Sequence, residues 1–345
     1  MTTAPLPDFA SMIDLAQARL GGQTLLASDD FFAEKENLLK PGRGVFLPDE
    51  YTDRGKWMDG WETRRKRVPG HDWCILKLGV SGVVHGVDID TNHFRGNYPE
   101  HASVDALVAE GDPSGDELAA RTDWVRIVPM RPLTSSSRHL FPVSHRERWT
   151  HLRLNIYPDG GVARFRVHGQ VVPNWARLCA APDLIDLGAV EHGGVAVLAN
   201  DMFFSHPNNL LMPGRAPHMG DGWETKRRRA PGHDWCVIRL GTPGTLARIE
   251  VDTNHFKGNY PESCSIEGVL LDDADVAAEH LSNLNLDWRP ILPRTKLEAH
   301  TQHLFESELL AGGPYSHVRL CTYPDGGVSR LRLWGRPVGR FGAEA

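Results

Sequence analysis

Hydrophobic and polar positions alternate with a period of two along much of this chain, as in strands with one covered face. His151–Tyr157 (HLRLNIY) sets Leu152, Leu154 and Ile156 against His151, Arg153 and Asn155. Pro158–Gly161 supplies a turn, since proline presets φ and glycine permits positive φ. Val162–Gly169 then returns, with Phe165 and Val167 on one face and Arg164 and Arg166 on the other. Trp73–Leu78, Val83–Ile89 and Ser103–Glu110 read as further strands, and Trp73 with its counterpart Trp235 reads as core. A helical spacing is seen only at Asp8–Leu20 (Phe9, Met12, Ile13, Ala16, Leu20), and the counterpart Asp183–Glu191 weakens that reading. Short strands between Gly/Pro turns predict an all-β sandwich or jelly roll.

The pattern is written twice. Asp59–Gly79 (DGWETRRKRVPGHDWCILKLG) returns 162 residues later as Asp221–Gly241 (DGWETKRRRAPGHDWCVIRLG), with 15 of 21 positions identical. Asp90–Glu100 (DTNHFRGNYPE) returns at the same offset as Asp252–Glu262, with ten of eleven identical. Upstream, Phe31-Phe32 and Pro41-Gly42-Arg43 match Phe203-Phe204 and Pro213-Gly214-Arg215 at an offset of 172, so the first copy holds ten extra residues within Gly44–Met58. The hairpin recurs as HVRLCTY, PDGG and VSRLRLWG from His317 to Gly335. Two domains are expected, residues 1–175 and 176–345. Drift between copies that serve only the fold erodes polar identity first. Here Glu62, His71, Asp72, Asp90, Asn92, His93, Asn97 and Glu100 are kept letter for letter.

Four clusters carry candidate chemistry. In Trp61–Arg65 and Trp223–Arg227, a basic residue can grip a carboxylate in bidentate fashion or simply pair on a solvated face. Arg65 and Arg227 are both arginine, whereas Arg64 becomes Lys226, so the first pair is favoured. His71-Asp72 and His233-Asp234 enter strands, where neighbours point to opposite faces and form no dyad. The loop Asp90–Glu100 follows an apolar strand, and rim loops are where function concentrates. Its Asp90, His93 and Glu100 offer acid/base capacity, and Asn92 and Asn97 offer amide donors and acceptors. Asp252, His255, Glu262, Asn254 and Asn259 repeat the set. These groups also suit a divalent metal, although nothing in the spacing selects one, and no cofactor is assigned. His139, His303, His151 and His317 read as satisfied structural histidines, and Cys74 and Cys236 as inert buried thiols. HExxH, paired CxxC, P-loop, GxSxG and Asp-x-His-x-Asp patterns are all missing.

Composition narrows the classes further. At 345 residues, with 41% apolar and 24% charged, the chain can bury two modest cores and is not expected to be disordered. A net charge of −6 argues against bulk nucleic-acid binding. No apolar run is long enough to span a bilayer, and Met1–Ala10 shows no export signal. A cytoplasmic protein with five reduced cysteines is expected, in a symmetric homo-oligomer as many enzymes of this size are.

Each copy resembles the galactose-binding-like, discoidin-type jelly roll. The likeness lies in the order of Ala18–Gly22, Ala27-Ser28, the Asp59-Gly60-Trp61 turn, the strand ending Leu78-Gly79 and the hairpin ending Val167–Gly169. The paired DGWETxRxRxPGHDWCxxxLG and DTNHFxGNYPE motifs resemble the allantoicase family from Ala18 to about Val338, and the insertion with Lys56-Trp57-Met58 fits that family's first repeat. The resemblance implies hydrolysis of allantoate to ureidoglycolate and urea in purine catabolism. The bond broken is an aminal C–N bond. An acid would protonate the departing urea while a base deprotonates water or the second ureido N–H, with a transient acyl-imine between the steps.

On that reading His93/His255 and Asp90/Asp252 move protons, with Glu62/Glu224 and Glu100/Glu262 in reserve. Arg65/Arg227 hold the carboxylate, and Asn92/Asn254 and Asn97/Asn259 meet the ureido groups. The alternative is a tandem discoidin-like module that binds carbohydrate or a surface without turnover.

Overall fold

The computed structural model describes residues 6–272, 281 and 286–339. Residues 1–5, which carry part of the expectation about an export signal, lie outside them. The chain divides into two compact units, Met1–Val172 and Pro173–Ala345.

In the first unit one strand, Asp72–Asp90, organises everything else. Its first half pairs antiparallel with Arg148–Tyr157 on one side and Gln23–Ala27 on the other. Its second half pairs with Arg164–Val171 and Arg138–Pro142. His101–Leu107 and Val125–Pro132 extend the first layer beyond Arg148–Tyr157. The second unit repeats the plan around Asp234–Asp252. Each unit is thus an all-β jelly-roll sandwich of the galactose-binding-like type, with a shared strand crossing between its layers.

That crossing differs from the two strands expected at Trp73–Leu78 and Val83–Ile89. Gly79 and Gly82 lie at the bend because neighbouring backbone leaves no room for side chains. A Cβ on Gly79 would sit 2.6 Å from Gly22 N, and one on Gly82 would sit 2.2 Å from Gln170 O. The glycines therefore permit continuity where the sequence suggested a break.

The amphipathic stretch Asp8–Leu20 is not a helix. It forms single 3₁₀ turns at Asp8–Ser11 and Ala18–Leu20, separated by Ile13-Asp14, which pairs with Gly169 and His168. The Asp14 carboxylate accepts the Val167 and Ala16 amides at 2.9 and 3.1 Å, tying the segment to the sheet. The counterpart behaves alike, with a strand at Ile185-Asp186 and a 3₁₀ turn at Val190–His192.

Leu152, Leu154, Ile156, Phe165 and Val167 are buried as the alternation predicts. Three polar expectations fail. His151 and Asn155 are buried as well, because their strand is covered on both faces. Arg164 is not on a solvated face but forms a buried ion pair with Asp59 at 2.6 Å, which Arg330 and Asp221 repeat at 2.7 Å. Trp73 and Trp235 are only half-buried, whereas Trp61 and Trp223 are fully enclosed.

Candidate active site

The loop after the long strand is built as a rigid turn in both units. Asp90 accepts the Asn92 amide at 2.9 Å and a two-point grip from Arg43 at 3.0 and 3.2 Å. Asp252 does the same with Asn254 and Arg215. Asn92 donates its side chain to Gly44 O, and Asn254 donates to Ala216 O. His93 and His255 follow with φ of 68° and 70°, a left-handed conformation that non-glycine residues seldom adopt and that clusters at functional sites. The His93 amide is held by Ser136 Oγ, and that of His255 by His300 Nδ1. Asp90 and Asp252, expected to move protons, therefore have both carboxylate oxygens engaged in shaping the loop, and Asn92 and Asn254, expected to meet substrate, spend their side-chain N–H groups there.

Glu62 and Glu224 sit differently. Each lies on a two-residue strand beside the PDGG turn, where Glu62 pairs with Gly161 and Glu224 with Gly327. Asn97 Nδ2 donates to Glu62 Oε1 at 2.7 Å, and Asn259 donates to Glu224 at 2.6 Å. The Asn97 carbonyl accepts the Gly161 amide, so one turn positions both members of the pair. Such close approach requires glycine: a Cβ on Gly161 would lie 1.9 Å from the Phe94 ring, and one on Gly327 equally close to Phe256. Burial raises the Glu62 carboxyl above its ordinary value, and the Asn97 hydrogen bond opposes this.

The basic residues of the WETxR motif divide their tasks. Arg64 pairs with Asp29 and Lys226 with Asp201, so the exchangeable position serves an ion pair. Arg65 and Arg227 are exposed and make no hydrogen bond or ion pair among the described residues. Lys66 and Arg228 bind Asp72 and Asp234, and their amides are accepted by Asp159 and Asp325 of the turns.

Each unit has a rim cavity. The first, of 350 Å³, is walled by Phe46, Lys56, Glu62, His93, Arg95 and Asn97 among others. The His93 ring stacks on Phe46 at 5.6 Å and has no hydrogen bond on either nitrogen among the described residues. The second cavity, of 620 Å³, is walled by Glu224, Arg227, Asn259, Glu262, Lys296 and Asp325 among others. His255 is not on that wall, and its Nε2 is hydrogen-bonded to Ala216 O at 2.8 Å. Glu262 pairs with Arg294 at 3.2 Å; the Ser263 hydroxyl and that guanidinium hold its carboxyl below the ordinary value. Glu100 is exposed and outside the first cavity's wall, as is Arg65.

Two further pairs of histidines are held in the scaffold. His71 and His233 pack against Tyr157 and Tyr323 with the rings tilted, at centroid distances of 4.5 and 4.7 Å. His139 accepts the Thr134 amide on Nε2 and donates from Nδ1 to Ile89 O, and His303 repeats both bonds. Burial pushes the Cys264 and Cys321 thiols up to about 12 and about 11, and raises Cys74 and Cys236 as well. Among the described residues no group of three or more His, Cys, Asp or Glu is arranged to hold a metal ion.

Sequence reasoning passed over several wall residues. Phe32, Lys56 and Asp325 stood in stretches already noted as landmarks, insertion or turn, so their position was the only thing hidden. Lys296 gave no signal because its structural counterpart is Pro132, and comparison of the copies sees only what both retain.

Fold and site together define a duplicated jelly-roll protein with a polar, carboxylate-bearing cavity in each copy. A family model described as allantoicase repeat matches residues 13–172 and again 185–338. A probable allantoicase of Burkholderia mallei is 50% identical over 95% of this chain and 96% of its own length. The allantoicase of Dictyostelium discoideum is 46% identical over 93% of this chain and 86% of its own. A crystal structure of allantoicase from Saccharomyces cerevisiae superposes with a TM-score of 0.75 at 38% identity, covering 95% and 94% of the two chains. The chain belongs to the allantoicase family.

Proposed function

We propose that the chain hydrolyses allantoate to ureidoglycolate and urea, as a step of purine catabolism. The observation that carries the reading is the Glu62–Asn97 pair, set in a cavity with His93 and cations, in a chain that resembles allantoicases over nearly its whole length. Allantoate is a carboxylate on a carbon bearing two ureido groups. Its recognition calls for cations and for groups able to donate to C=O and accept from N–H.

Glu62 is the acid: burial favours its protonated form, so it can deliver a proton to the departing ureido nitrogen. Asn97 fixes its orientation. His93, with both ring nitrogens unengaged, takes the proton from water or from the second ureido N–H. The water oxygen ends on the central carbon and the expelled nitrogen leaves in urea. Asp90 and Asp252 give up the proton-transfer role to these groups, since arginine and backbone occupy their oxygens. Lys56 and Arg95 supply the cations at the first cavity, and Arg227 at the second; Arg65 is not on the first cavity's wall.

We place the protein in the cytoplasm as a homo-oligomer acting on this small molecule, without a nucleic-acid partner. No helix among the described residues is long and apolar enough to cross a membrane. A colorimetric urea assay on allantoate, run with and without chelator, tests the function and the metal requirement together. Urea release is expected; none under either condition would leave a non-hydrolytic binding module as the reading.

A further inference from the structure

The repeat keeps one set of residues in both units, yet the cavity opens on different sides of the shared Glu–Asn pair: towards His93 and Arg95 in the first unit, and towards Arg227 and Pro324–Gly326 in the second. We propose that bond cleavage is confined to the first-repeat cavity, and that the second-repeat cavity is a non-hydrolytic binding site for a ureido carboxylate. This rests on the reading of the chain as an allantoate hydrolase.

Acid/base cleavage needs two proton-transfer groups facing one bound molecule. The first cavity has them: Glu62 and His93 share its wall, and the His93 ring nitrogens are unengaged. The second lacks the histidine, because His255 lies off the wall and spends Nε2 on the Ala216 carbonyl. Its further carboxylates are also committed, Glu262 to Arg294 and Asp325 to the Arg228 amide. The inserted hairpin Tyr51–Lys56 makes the second difference. It brings Lys56 into the first cavity, where the ammonium stands 5.2 Å from the Phe46 ring centroid, and Phe46 in turn backs His93.

What the second cavity retains is a recognition set. Glu224 and Asn259 keep the paired carboxylate and amide that suit ureido N–H and C=O groups. Arg227 and Lys296 add two cations without ion pairs among the described residues, and Lys296 has no basic counterpart in the first copy. Two cations beside a carboxylate–amide pair suit a ligand that is an anion at one end and a ureide at the other.

The experiment compares matched variants of the full chain by urea release from allantoate, and by calorimetric titration with hydantoate (ureidoacetate), which has a carboxylate and one ureido group but no second to expel. Wild type is expected to bind about two hydantoates per chain. Glu62→Gln is expected to lower kcat by 10²-fold or more while one hydantoate still binds. Glu224→Gln is expected to remove one hydantoate site, with a loss in kcat at least thirty-fold smaller than that of Glu62→Gln. Comparable kcat losses in the two variants, or a single hydantoate site that Glu62→Gln abolishes, would overturn the proposal. Thermal unfolding midpoints check that each variant folds. Should Glu62→Gln not fold, Lys56→Met against Lys296→Met makes the same comparison: at least a tenfold fall in kcat/KM for the first, and loss of a hydantoate site for the second. Wild type that releases no urea is a different failure, that of the hydrolase reading.

Discussion

The two repeats share their backbone plan almost strand for strand but treat one pair of phenylalanines very differently. Phe31 and Phe32 are 39% and 36% exposed, whereas Phe203 and Phe204 are 69% and 61% exposed. The ten residues present only in the first copy account for the difference. Their hairpin lays the Arg54 guanidinium over the Phe31 ring at 5.3 Å and carries Lys56 and Met58 to the cavity wall. Duplication thus preserved the catalytic-type pair, Glu62–Asn97 and Glu224–Asn259, while a surface insertion changed what surrounds it. Identity of residues is not identity of environment, and environment sets what a carboxylate can do.

The largest stability effect is expected beneath the cavities, at the buried ion pairs. Arg164→Met and Arg330→Met each remove the cation of a buried ion pair, a change typically worth about 3–5 kcal/mol. Arg330→Met should cost more. Arg330 also holds the Asn209 and Gly214 carbonyls, whereas the buried Arg164 Nε has no hydrogen-bond partner among the described residues. Equal urea-denaturation losses for the two variants would mean that the extra carbonyl bonds of Arg330 add nothing to this anchor.

Acid should distinguish His151 next. Burial lowers its pKa from 6.5 to about 4, so the unfolded chain binds the proton more readily in that window. Stability is therefore full above pH 6.5 and declines as pH falls towards 4, by up to about 3 kcal/mol. Denaturation of wild type at pH 7 and pH 4.5 should show this decline, and His151→Gln should show less of it.

The smallest contrast is a predicted equality. Gly161→Ala and Gly327→Ala each drive a methyl group into Phe94 or Phe256, an overpacking expected to cost about 1–3 kcal/mol in either copy. Similar shifts in unfolding midpoint would show that the turn beneath the Glu–Asn pair is the same device twice. Unequal shifts would extend the divergence of the repeats to their shared scaffold.

Much of this was legible from residues alone. The period-two hairpin His151–Gly169 gave strands and core correctly, because inward-facing Leu152, Leu154 and Ile156 have only one way to be buried. Polar identity between the copies pointed to the right neighbourhood, yet it grouped residues that shape the loop with those that line the cavity. Asp90 and Glu62 look equally conspicuous in sequence. Only Arg43, forty-seven positions from Asp90, separates them by claiming one carboxylate and leaving the other to Asn97.

The sequence by itself determined the duplication, the β architecture, the family and the short list of polar candidates, since repeats, alternation and motif spacing are properties of the chain read in order. Tertiary structure decided the roles. Whether an aspartate moves protons or anchors a loop, and whether a histidine faces a cavity or a carbonyl, depends on partners brought together from distant segments. The Asp8–Leu20 stretch teaches the same lesson at the level of backbone: its apolar spacing suited a helix, but sheet partners and the Val167 amide offered Ile13-Asp14 better bonds than a helix could.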